Sequence, residues 1–110
     1  MDGYRLPTNT EYQSLIDNCT RTNGGGWSTS DYGYIALTLK IDSSKKLEFP
    51  AVGGRLTGGS LTSDVGTYGG YWSSVASSSN HAYYLYFNSS DLRVNYTNKQ
   101  YGRSVRCVRQ

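Results

Sequence analysis

Between residues 82 and 96 the chain reads "AYYLYFNSSDLRVNY", which is hydrophobic on both parities of an extended strand. Side chains alternate across a strand, so Tyr83, Leu85 and Phe87 share one face and Tyr84 and Tyr86 the other. One buried face accounts for the first set. The second stands where a small domain normally presents Lys, Thr or Glu to water, so it must be covered by something or displayed for something. The turn at 88–91 (Asn-Ser-Ser-Asp) leads into a second strand at 92–96, where Val94 falls in step with Leu85 and Phe87, and Arg93 and Asn95 with the second set of tyrosines. A polar turn at 97–102 precedes a third strand at 103–109, expected to turn Val105 and Cys107 inward and Ser104, Arg106 and Val108 outward.

The first third has a different period. Pro7 and Thr8 open a helix, with Glu11 completing a capping box three residues after Thr8. Tyr12, Leu15, Ile16 and Cys19 then recur at i, i+3, i+4 and i+7, the single apolar stripe of a surface helix. The polar run 20–23, followed by Gly24-Gly25-Gly26, is expected to end it. Residues 34–41 and 46–49 read as a hairpin around the Asp42-Ser43-Ser44 turn. Residues 50–70 have little periodicity beyond Val52, Leu56, Leu61 and Val65, which marks a long loop. The class expected is α+β, one helix packed on antiparallel sheet, in a single domain over 1–110.

Composition narrows the function. Eleven tyrosines stand among many Ser, Asn and Gly, the vocabulary of antibody-type contact surfaces. A net charge of +3 with scattered basic residues leaves no nucleic-acid footprint. No apolar run reaches membrane-spanning length, so no membrane insertion by this domain is expected. No signal-peptide pattern opens the chain, and Met1-Asp2-Gly3 reads as the start of a domain from a longer protein. His81 is the sole histidine and the carboxylates are dispersed, so we expect no metal, no cofactor and no catalytic residues. Cys19 lies on the helix stripe and Cys107 on the inward face of the last strand. If those elements pack together, a disulfide would add about 3–5 kcal/mol and imply an oxidising compartment; the alternative is two buried free thiols.

The segments "GYRLPTNTEYQSLIDNC", "FPAVGGR", "VGTYGGYWSS", "AYYLYFNSS" and "YGRSVRCVR", in that order, resemble the major paralogous domain family named after Fibrobacter succinogenes. That family is abundant in surface and secreted proteins of gut bacteria. The resemblance spans residues 3–109 and implies a C-type lectin-like fold of the formylglycine-generating-enzyme branch, at the cell surface or outside the cell. In such a fold an early helix is tied to the last strand by a disulfide, and Cys19 and Cys107 occupy the matching places. The calcium-dependent sugar-binding motifs of animal C-type lectins are absent, and no cysteine is left over for formylglycine chemistry. The resemblance therefore implies the fold without the metal or the catalysis.

The tail also resembles the variable proteins of diversity-generating retroelements, in which a reverse transcriptase rewrites adenines in a C-terminal repeat. This implies a scaffold over about 1–76 and a variable ligand-binding region over about 77–103. The binding residues expected are Ser79, Asn80, His81, Tyr84, Tyr86, Asn88, Asp91, Arg93, Asn95, Tyr96, Tyr101 and Arg103. Tyr84, Tyr86 and Tyr101 would be aromatic anchors, Asp91 and Arg93 charged contacts, and Trp72, Leu85, Phe87, Val94 and Val105 scaffold. The ligand would be a protein or a glycan. The alternative is an adhesin or pilus-associated structural domain whose tyrosine face makes one fixed contact.

Overall fold

A computed structural model of the chain describes residues 4–54, 65–99, 101–106 and 108–109. The short strand β1 (Tyr4–Arg5) leads into helix α1 (Asn9–Asn18), whose start is built as its residues require. Thr8 has an extended backbone, its Oγ1 accepts from Glu11 N at 3.1 Å, and its own N donates to Glu11 Oε1 at 2.9 Å. The expected capping box is formed. Arg5 grips the same carboxylate with bonds of 2.6 and 2.8 Å. Those bonds from Arg5, followed by the backbone bond from Thr8, hold the Glu11 carboxyl down at about 2, well below its ordinary 4.5.

A carboxyl whose folded-state pKa is depressed stabilises the fold above its unfolded pKa and loses that contribution as pH falls through the folded value. The melting-temperature gap between the protein and a Glu11→Gln variant should therefore be constant near neutral pH and close between about pH 4.5 and pH 2. A gap unchanged at the bottom of that range would contradict the assignment.

At Cys19 the backbone turns extended (φ −121, ψ 152), and the chain passes directly into β2 (Cys19–Gly24). β2 lies antiparallel to β3 (Tyr34–Leu39), which pairs on its other side with β4 (Lys46–Pro50). The run 20–23 is thus an edge strand rather than the loop expected from its polarity. Thr20 and Thr22 suit extended backbone, and an edge exposed to water needs no apolar face. The turn after β3 closes as the sequence suggested, with Asp42 Oδ1 accepting from Ser44 N at 3.1 Å and Ser44 Oγ at 2.6 Å.

The second sheet has the order β5 (Tyr68–Ala76), β6 (His81–Asn88), β7 (Leu92–Asn98), all antiparallel. Among the described residues, single bridges from Gly53, Val65 and Ser104 reach β5 at Gly69, Tyr68 and Tyr71. Gly53 N donates to Tyr68 O at 2.8 Å, and Ser104 exchanges 2.9 Å bonds with Gly70 O and Trp72 N. β8 (Val108–Arg109) pairs with β1, bringing strands near the two ends of the chain together.

The last segment differs from the strand expected at 103–109. Only Val108–Arg109 forms a strand, and Ser104 makes one bridge. Val105, expected to be scaffold, is 58% exposed, while the Arg106 guanidinium lies 4.9 Å over the Phe49 ring. The inward residue is one position away from the alternation rule, because a long arginine stem can cover an aromatic ring and keep its charge in water. Cys107 lies outside the described residues, and with it the expected bridge; Cys19 is a free thiol in this structure.

One core joins the helix and both larger sheets. Tyr12 of α1, Ile35 and Leu37 of β3, Phe49 of β4, Tyr71 of β5, and Leu85 and Phe87 of β6 are buried together, with Leu15, Ile16, Leu92 and Val94 packed around them. Tyr12 and Tyr71 also place their hydroxyls on backbone carbonyls, Trp72 O at 3.2 Å and Pro50 O at 2.8 Å. Burial pushes the Tyr71 phenol up to about 12, against the lowering pull of nearby Arg106.

Candidate functional site

The register of the second sheet sorts the residues of 82–96 onto two faces. Tyr71–Leu85–Val94 and Gly69–Phe87–Leu92 are cross-strand rows directed at the core. Trp72–Tyr84–Asn95 and Gly70–Tyr86–Arg93 are the rows directed away from it. The alternation expected from the sequence therefore separates Leu85, Phe87 and Val94 from Tyr84, Tyr86, Arg93 and Asn95.

The outward face is a layered aromatic and cationic surface. The Trp72 ring meets Tyr84 edge-on at 6.1 Å, and Tyr84 meets Tyr86 edge-on at 6.2 Å. The Arg93 guanidinium lies 5.0 Å over Tyr86, and the Arg103 guanidinium 4.9 Å over Tyr84 and 5.6 Å from Tyr101. Arg93 is also paired with Asp91 Oδ2 at 2.8 Å, an exposed contact worth less than about 1 kcal/mol. Arg103, brought in by the C-terminal segment, covers Tyr84. Tyr84 is only 6% exposed, so it forms the floor of the face rather than the free anchor expected. Tyr86, Asn95 and Tyr101 are half-buried and Arg93 exposed.

Other expected site residues are placed elsewhere. Tyr96, 58% exposed, pairs with Tyr83 on the parity of Leu85, so it looks to the opposite side of the sheet. His81 shares that parity; its ring meets Tyr96 edge-on at 6.0 Å, and its Nδ1 lies 3.1 Å from Ser78 Oγ. Ser79 and Asn80 are exposed in the β5–β6 connection. Asn88 and Asp91 build the β6–β7 turn. Asn88 Oδ1 accepts from Asp91 N at 2.7 Å, Ser90 N at 2.9 Å and Ser90 Oγ at 3.3 Å, while Asn88 Nδ2 donates to the Tyr86 hydroxyl at 3.2 Å.

What holds that turn comes from a distant strand. Arg21, on the edge strand β2, donates to the carbonyl oxygens of both Asn88 and Asp91, and Asn23 Nδ2 donates to Ser89 O at 2.7 Å. Partial burial lowers the Arg21 pKa, against the raising effect of Asp91. Polar positions on the edge strand β2 thus clamp the hairpin carrying the candidate site. Arg21→Met is expected to cost about 1.5 kcal/mol, the low end for bonds from a charged donor because Arg21 is only part-buried. The urea midpoint should fall at unchanged m-value, and amide exchange at 88–91 should accelerate; an unmoved midpoint would contradict the clamp.

Residues 27–108 match the family described as "Domain of unknown function (DUF8237)". The chain belongs to this family. The DUF8237 match begins at Trp27, includes every strand of the candidate face and leaves α1 outside. No curated protein and no solved structure matches the chain.

A groove of about 560 Å³ lies between α1 and the β3–β4 hairpin, walled chiefly by Leu15, Leu39, Ile41 and Leu47, and no wall belongs to β5, β6 or β7. Among the described residues no three His, Cys, Asp or Glu side chains converge, and no helix is long and apolar enough to cross a membrane.

Proposed function

We propose that this domain is a non-enzymatic ligand-binding module of C-type lectin-like fold, displayed outside the cytoplasm. Its ligand meets the outward face of β5–β6–β7. The observation that carries this reading is the row pattern itself. Tyr86, Arg93 and Asn95 stand on one side of a sheet whose other side is core, with Trp72, Tyr101 and Arg103 beside them. Rigid aromatic area with arginine and adaptable amides is the composition of a contact surface for another molecule. The pairing of β1 with β8 and the early helix packed on antiparallel sheet support the fold assignment.

In this reading the face is diversified by a retroelement that rewrites adenines, and the Asn codons at 80 and 95 are natural targets. The test is the DNA around the gene. A neighbouring reverse transcriptase and an adenine-rich copy of the segment encoding about 77–103 are the expected result. Their absence, with the face invariant among sister copies, would leave a fixed contact as the account.

That second reading, an adhesin or assembly domain with one constant partner, is favoured by a specific observation. Asn88 and Tyr84 are tied into the fold by hydrogen bonds and burial, and residues so tied cannot vary freely.

A further inference from the structure

The two arginines of the candidate face differ in one respect. Arg93 is neutralised by Asp91 at 2.8 Å. Arg103 is not, because the ion pairs among the described residues are Arg5–Glu11 and Arg93–Asp91. Its Nη1 donates to Gly102 O at 3.0 Å, while Nε is buried and has no hydrogen-bond partner among the described residues. A buried N–H without an acceptor is costly, and native structures rarely keep one without a use for it.

The seat that holds Arg103 is built from missing side chains. A Cβ on Gly70 would fall 2.6 Å from Arg103 Cδ, and a Cβ on Gly54 would fall 2.4 Å from Arg103 Nη1. The guanidinium lies in that gap against Tyr84 and Tyr101, which attract it through their ring faces without satisfying its N–H groups. Nη1 is engaged, so the edge formed by Nε and Nη2 is the one left for an acceptor. That edge matches the two oxygens of a carboxylate.

We propose that Arg103 is the anion-receiving group of this face, and that it takes a carboxylate side chain, Asp or Glu, from a protein partner. The inference rests on reading the β5–β6–β7 face as the binding face. A protein partner is favoured over a sugar acid by the residue types around Arg103, since Trp72, Tyr84, Tyr86 and Tyr101 beside two arginines are the side chains enriched at protein–protein contacts. Since Nε is out of contact with solvent, the guanidinium must lift from Tyr84 to form both bonds, so binding also uncovers that ring.

The test is an NMR titration of the whole chain with N-acetylglutamate, following the arginine Nε–Hε and tyrosine ring signals, with sodium chloride at matched ionic strength as control. A saturable shift of the Arg103 Hε signal, with movement of the Tyr84 ring and little change at Arg5 and Arg93, is expected. Arg103→Lys keeps the charge but not the fork, and should weaken probe binding about tenfold or more, as loss of a bidentate charge-assisted contact does. Equal shifts at all arginines, or no shift at Arg103, would overturn the proposal. Should Arg103→Lys fail to fold, Arg103→Gln provides the second variant, and saturable movement of the Tyr84 ring on N-acetylglutamate addition that persists in folded Arg103→Gln would overturn an Arg103-centred site. D-Glucuronate binding more tightly than N-acetylglutamate would overturn the assignment to a protein carboxylate. Failure of all these arms beside a retroelement in the flanking DNA would sink this inference and leave the diversified face standing.

Discussion

Tyr84→Ser is expected to lower the unfolding free energy by about 3 kcal/mol or more, while Tyr86→Ser costs under about 1 kcal/mol. The two residues look equivalent in the sequence, one strand position apart in the same set. The fold separates them. Tyr84 is 6% exposed between Trp72 at 6.1 Å and the Arg103 guanidinium at 4.9 Å, so truncation opens a hole that neither neighbour can close without losing its own contact. Tyr86 is half-buried and its hydroxyl meets an exposed turn, so truncation mostly exchanges contact for water. Urea denaturation of both variants checks this; equal losses would show that the face is all structure or all display.

Phe87→Ala should have the largest effect, about 3–5 kcal/mol, the range for an aromatic ring removed from a close-packed core. Phe87 has no exposed surface, stacks 6.3 Å from Tyr71 at 15°, and meets Trp27 in a T-shaped contact at 6.2 Å. Its ring fills the space opposite Gly69, where a Cβ would fall 2.3 Å from the Phe87 ring. Gly69→Ala alone should therefore cost about 1–3 kcal/mol by overpacking. In the Gly69→Ala/Phe87→Ala double variant the added methyl meets vacated space, so the loss should be smaller than the sum of the single losses. Strict additivity would contradict this packing.

How much of this was legible beforehand depended on whether the signal was local. The capping box of Thr8 and Glu11, the Asp42–Ser44 turn and the alternation through 82–96 depend on residues within four positions of one another, and the structure has them all. Strand β2 was missed because edge position, not periodicity, made its polar residues extended. The inward turn of Arg106 in place of Val105 was missed because apolar alternation carries no information about an arginine stem lying over Phe49.

Within the candidate site the faces of Tyr84, Tyr86, Arg93 and Asn95 followed from period two. The burial of Tyr84 did not, since it depends on Arg103, nineteen positions away and threaded past Gly54 and Gly70. Tyr96 and His81 were grouped with the binding residues because they are polar and aromatic, but their odd-even position puts them on the other side of the sheet. The Arg21 clamp on residues 88–91 joins segments nearly seventy residues apart, beyond any spacing rule.

The central claim is that Tyr86, Arg93 and Asn95 on the outward face of β5–β6–β7 are free to change, while the buried Tyr84 beside them and the inward face hold the fold. Saturation mutagenesis of residues 77–103 on a display system, sorted for retained folding after heat challenge, tests it directly. The account predicts broad tolerance at Tyr86, Arg93, Asn95 and Tyr101, and intolerance at Tyr84, Leu85, Phe87 and Asn88. Intolerance at Tyr86, Arg93, Asn95 and Tyr101 equal to that at Leu85 and Phe87 would contradict it, because a face that cannot change without unfolding is not a displayed one.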